Sequence, residues 1–92
     1  MGFRQKFNPL EVFKKGKNHG KKIYKDEYYT NGEYGVRRAD KAHSTCQKYA
    51  YDKRVKRNKH GKYLTPKRRT YYKGMANGLF WGHNDYYGKP RN

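Results

Sequence analysis

Apolar and polar positions follow different periods in different stretches of the chain. Residues 1–22 set Phe3, Phe7, Leu10, Val12 and Phe13 among seven Lys and Arg. Asn8-Pro9 has the form of a helix start, an Asn cap followed by Pro at the first helical position. Leu10 and Phe13 then share a face three residues apart. Lys14 to Lys22 carries five Lys, two Gly and no apolar residue, which reads as an exposed basic loop. Ile23 to Tyr29 is rich in strand formers, and so is Tyr34-Gly35-Val36, with Asn31-Gly32 between them. Asn-Gly accepts the positive φ that a type I′ turn needs at both central residues. The pattern predicts a β-hairpin near 23–37, with Tyr29 opposite Tyr34 and Glu27 opposite Val36.

Beyond the hairpin the period changes. No Gly or Pro interrupts Val36 to His60, and Ala39, Ala42, Cys46 and Tyr49 form one helical stripe. A long helix is expected near 38–60, with Gly61 as its C-terminal cap and basic residues suiting its negative end. Ser44 with Gln47 has capping-box spacing and offers a later start. Thr65-Pro66 opens a second, shorter helix that Gly74 ends. Its first turn holds Lys67, Arg68 and Arg69, cations where the helix end is already positive, and a bound anion would reverse that conflict. Met75, Leu79, Phe80 and Trp81 form the densest apolar patch, broken by Gly74, Gly78, Gly82 and Gly88. It is expected to pack back on the hairpin as a loop or short helix, with 88–92 as a polar tail. The expected fold is α+β: one small domain over 1–92, with a hairpin, one long helix and an aromatic core.

Composition changes the picture in one respect. Leu, Ile, Val and Phe together number only 11 of 92 residues, but 11 Tyr and Trp81 add to them. A buried aromatic ring removes roughly 150–250 Å² from water, so a thin aromatic core can hold a domain of this size, with low stability.

Charge changes it more. The chain has 24 Lys and Arg against seven Asp and Glu, a net charge of +17. Self-repulsion of that size disfavours a compact state, and a polyanion relieves it. The run from Lys53 to Lys73 holds no acid after Asp52 and ten cations: Lys53, Arg54, Lys56, Arg57, Lys59, Lys62, Lys67, Arg68, Arg69 and Lys73. Such a block replaces the counterions condensed on a phosphate backbone. Tyr28-Tyr29, Tyr71-Tyr72 and Tyr86-Tyr87 are adjacent pairs and Tyr49 and Tyr51 lie near the run, and exposed rings beside cations stack unpaired bases. Tyr71, between Arg69 and Lys73, is the ring expected to meet a base or sugar, while most other Tyr are expected in the core. The expected function is non-enzymatic nucleic-acid binding, RNA ahead of DNA, at these eleven residues. A component of a ribosome or virion is an alternative, as is a phage-type factor that binds an acidic host protein.

Other chemistry is weakly represented. A small basic RNase using His43 or His60 is the enzymatic alternative, but the acids are scattered and none pairs with a His at telling spacing. His43 and Cys46 have i, i+3 spacing, and His60 and His83 would have to complete a zinc site, which usually shows two such pairs. No cofactor or metal is expected, and Cys46 reads as a small core residue. A single Cys forms no internal disulfide. No apolar run approaches the roughly 20 residues of a membrane span, and no signal peptide is visible. The expected setting is cytoplasmic, free or inside a nucleoprotein particle.

Overall fold

The computed structural model describes residues 7–90. Phe3, Arg91 and Asn92, assigned above to the basic segment and the tail, lie outside the described residues. Two helices make up the fold: α1, Pro9–Tyr51, and α2, Pro66–Tyr86. Among the described residues 76% are helical and no strand forms, so the expected α+β fold with a β-hairpin is corrected to an all-helical one.

The Asn31-Gly32 signal marks a real reversal, but of a helix. Gly32 has φ 58° and ψ −136° inside α1, a conformation open almost only to Gly. A straight helix of 43 residues would run about 64 Å at 1.5 Å per residue, longer than the molecule's greatest extent of 56 Å. Instead the chain doubles back. Gly35 lies against the Glu27 carbonyl with no room for a Cβ, and Arg38 Nε donates to Glu27 Oε2 at 2.9 Å across eleven residues. Glu27 therefore faces Arg38 and Asn31 rather than Val36, which is buried.

The segment expected as a hairpin is helical because its buried positions recur every four residues. Gly16, Gly20, Tyr24 and Tyr28 share the buried face of the first limb of α1. The expected basic loop at 14–22 is part of this limb. Gly74, Gly78 and Gly82 supply the matching face of α2. Gly16 meets Tyr71 and Met75, Gly20 meets Met75 and Leu79, and Gly82 meets Tyr24. Contact positions rise together, so this limb and α2 run parallel. A Cβ at Gly20 or Gly78 would collide with main chain of the facing helix. Small residues here let two helices approach nearly backbone to backbone.

The second limb of α1 runs antiparallel to α2. Tyr49 packs on Tyr72 with ring centroids 5.0 Å apart, whereas Ala39 and His43 border the same cavity as Leu79 and His83. The stripe expected on this helix is present: Ala39, Cys46 and Tyr49 are buried and Ala42 packs beside them. The helix ends at Tyr51, not near His60. Past Tyr49 the stripe continues into Lys53, Lys56 and Arg57, which have nothing apolar to bury and repel one another at helical spacing.

Both expected N-terminal caps exist, whereas α1 is closed at its C-terminus by Asp52, not by the expected Gly61. Asn8 Oδ1 accepts from the Leu10 and Glu11 amides, and Thr65 Oγ1 from the Arg68 amide at 3.2 Å. α2 runs past Gly74 because Gly74 faces Phe13 and Lys17 and is needed for packing. The core is Tyr24, Tyr28, Val36, Ala39, Cys46, Met75, Ala76 and Leu79. Phe80 and Trp81, expected inside, stand on the surface.

Candidate nucleic-acid interface

The parallel limb gathers charge that the sequence spreads out. The starts of α1 and α2 and the end of α1 all lie at one end of the molecule, with the connecting segment 52–65. Residues 9–17 and 44–73 hold fourteen Lys and Arg against Glu11 and Asp52. The opposite end, residues 25–41 and 83–90, holds five charges of each sign.

The segment 52–65 is built rather than loose. The Asn58 amide donates to the Lys62 carbonyl, the Leu64 amide to the Lys56 carbonyl at 2.8 Å, and Arg57 and Tyr63 form an isolated antiparallel bridge. Asn58 Oδ1 accepts from the His60 and Lys62 amides, and Asn58 Nδ2 donates to the Tyr72 hydroxyl. Gly61 turns the tip with φ 79°. Buried Leu64 anchors the segment. Arg69 fastens it from α2: its guanidinium donates to the carbonyls of Tyr49, Asp52 and Val55, the last at 2.6 Å.

The eleven expected site residues thus divide. Lys53, Arg54, Lys56, Arg57, Lys59, Lys62 and Lys67 are exposed at this end, and Arg68, Arg69, Tyr71 and Lys73 are half-buried. Arg69 holds main chain together and is a structural residue first. Arg54 pairs with Asp52 at 3.1 Å, and its hydrogen bonds hold the Asp52 carboxyl below the usual carboxylate range. Arg68 donates to the Tyr63 carbonyl. The Tyr71 hydroxyl meets His19 Nδ1 at 2.7 Å, and burial, then the neighbouring Tyr72, pushes that hydroxyl up.

Two other rings at this end are more exposed than half-buried Tyr71. Tyr51 is 63% exposed and Tyr63 58% exposed. The Arg57 guanidinium lies 3.9 Å from the Tyr63 ring centre, and Lys73 Nζ 5.3 Å from that of Tyr51, distances suited to cation–π attraction. Lys14, Lys15 and Lys17 also join this end. Their signal was Gly16 and Gly20 at helical spacing among the lysines, which places a helix face where composition suggests a loop.

Two open grooves flank the start of α2. One, about 480 Å³, runs past Val12, Asn58, Lys67, Arg68 and Tyr71. The other, about 500 Å³, lies between the end of α1, the connecting segment and α2, lined by Ala50, Lys53, Lys56, Tyr63, Leu64, Pro66, Arg69, Thr70 and Lys73. Among the described residues no acid lines either groove.

Among the described residues no three His, Cys, Asp or Glu come together as a metal site. Cys46 is core, and burial pushes its thiol up to about 11. His43 faces a separate cavity with Asp40 and His83, while His60 sits exposed near the tip of the connecting segment. Among the described residues no helix is long and apolar enough to cross a membrane. Comparison with protein-family models, curated proteins and solved structures finds no match to this chain.

Proposed function

We propose that this protein binds nucleic acid without catalysing a reaction, holding phosphates on its basic end, with RNA preferred to DNA. The observation that carries the reading is the concentration of fourteen cations against two acids at one end, while the other end is balanced. A charge imbalance serving solubility alone has no reason to be one-sided. Ordered main chain under the cations favours contact in a defined geometry, and exposed tyrosines among them suit irregular or unpaired RNA. An intracellular setting, free or within a nucleoprotein particle, belongs to the same proposal.

The test is fluorescence anisotropy with labelled 20-nucleotide RNA and DNA between 50 and 300 mM salt. If about five phosphates are neutralised, log K falls with log salt at a slope near −4. Absence of binding at low salt, or binding indifferent to salt, overturns the reading. Absorbance at 260 and 280 nm before and after a high-salt wash shows whether nucleic acid accompanies the protein from cells.

A further inference from the structure

The geometry points to the groove between the end of α1, the connecting segment and α2 as a pocket for an unpaired base of a single strand, with Tyr63 as its stacking face. This assignment rests on the phosphate-binding reading above and goes further, naming a position and a strand form.

Three features converge there. Ala50, Leu64 and Pro66 give the lining apolar surface, and Leu64 is buried. Lys53, Lys56 and Lys73 line it as well. One wall is the Tyr63 ring, more than half exposed. Phosphate alone has no use for an apolar lining or an exposed ring. A paired base keeps its faces inside the duplex stack. An unpaired nucleotide offers a flat apolar face and a phosphate together, and the groove presents a partner to each.

The ring is also held in place. Arg57 lies over it and anchors itself by donating from Nη1 to the Gly61 carbonyl at 2.9 Å. Arg68 donates to the Tyr63 carbonyl at 3.0 Å and fixes its main chain. Arg69, bonded to three carbonyls, fixes the back of the groove. A ring positioned before binding loses little freedom on stacking. An acidic peptide would satisfy the lysines but leave apolar lining and ring without a matching surface.

Abasic nucleotides supply the test, because they keep every phosphate and remove the base. Anisotropy compares a 12-nucleotide single strand with the same strand made abasic at its six central positions. The wild-type protein should bind the intact strand about tenfold more tightly, in keeping with one stacked base. Tyr63→Ala should bind both strands alike, at the abasic affinity, and Tyr63→Trp should keep the difference. Equal affinity of the wild type for both strands overturns the pocket yet leaves phosphate binding standing. Persistence of the difference in Tyr63→Ala, with its helical circular dichroism intact, also overturns it by moving the base contact elsewhere. Failure to bind either strand removes both proposals. Polyglutamate binding as tightly as the intact strand overturns the pocket in favour of an acidic protein partner. If Tyr63→Ala misfolds, equal binding of both strands by the wild type still overturns the pocket.

Discussion

The two ends of the bundle use the same residue types for opposite purposes. At the reversal end, Tyr28, Tyr29, Tyr86 and Tyr87 pack on one another, with Tyr29 and Tyr86 edge to face at 5.8 Å and His83 stacked on Tyr87 at 4.8 Å. The Tyr28 hydroxyl donates to the Lys89 carbonyl, and Arg38 is matched by Glu27, whose hydrogen bond, after that from Tyr34, raises the guanidinium's affinity for its proton. At the basic end, Tyr51 and Tyr63 face solvent with cations beside them and few acids near. Most tyrosines at the reversal end close the fold, with Tyr34 standing out beneath Arg38 as the exception, whereas at the basic end both Tyr51 and Tyr63 are left open beside cations. A chain short of aliphatic residues sets its rings both in the core and on the surface, and composition cannot separate the two.

The sharpest way to break this contrast is to move the charge. Lys53, Lys56 and Lys62 changed together to Glu should weaken RNA binding by about a hundredfold or more at moderate salt. The same reversal of Arg37, Lys41 and Lys89 should change it by less than about threefold, as anisotropy will show. Arg69 is excluded from such a set, since its loss damages the fold. Gly78→Ala comes next. In an open helix the added methyl would gain up to about 1 kcal/mol, but here it meets the Lys17 carbonyl, and forcing the helices apart should cost about 2–3 kcal/mol net. Thermal unfolding would read this as a fall of about 10 °C or more. Arg69→Ala should cost about 2 kcal/mol, because it leaves three carbonyls without their charged donor. Arg69→Lys should recover only part of that, a point charge lacking the fork. Gly32→Ala should cost about 1–2 kcal/mol through backbone strain at the reversal, with RNA affinity of the folded protein unchanged.

The smallest effect concerns acid. The Asp52 carboxyl is held low by Arg54, so its contribution is present above the ordinary carboxylate pKa and fades as pH falls below about 4. Asp52→Asn should flatten that limb of a stability–pH curve slightly, measured by urea unfolding.

The sequence was legible where a local rule is decisive. Asn8-Pro9 and Thr65-Pro66 mark helix starts because a cap followed by Pro has few other uses. The 39–49 stripe was clear because Ala, Cys and Tyr recur at helical spacing. Asn31-Gly32 located the reversal but not what reverses, because Tyr24 and Tyr28 look like strand residues until Gly16 and Gly20 are counted with them. A seam of glycine has no hydrophobicity, so a search for apolar periodicity passes over it. The end of α1 at Tyr51 and the role of Arg69 depend on contacts across about twenty residues and have no local signature. The basic run was plain in the sequence. Which of its members are free and which bind main chain depends on the fold, as exposed Lys53 and main-chain-bound Arg69 show.

The parallel packing of the first limb on α2 has a kinetic consequence. Two helix N-termini point to the basic end and only one C-terminus does, so the backbone adds its own partial positive charge there. The molecule is therefore a permanent electric dipole, and the field of a polyanion would turn it during diffusion so that it arrives basic end first. Such steering raises the encounter rate and fails steeply as ionic strength rises, so the speed of capture should respond to salt even before the strength of the complex does.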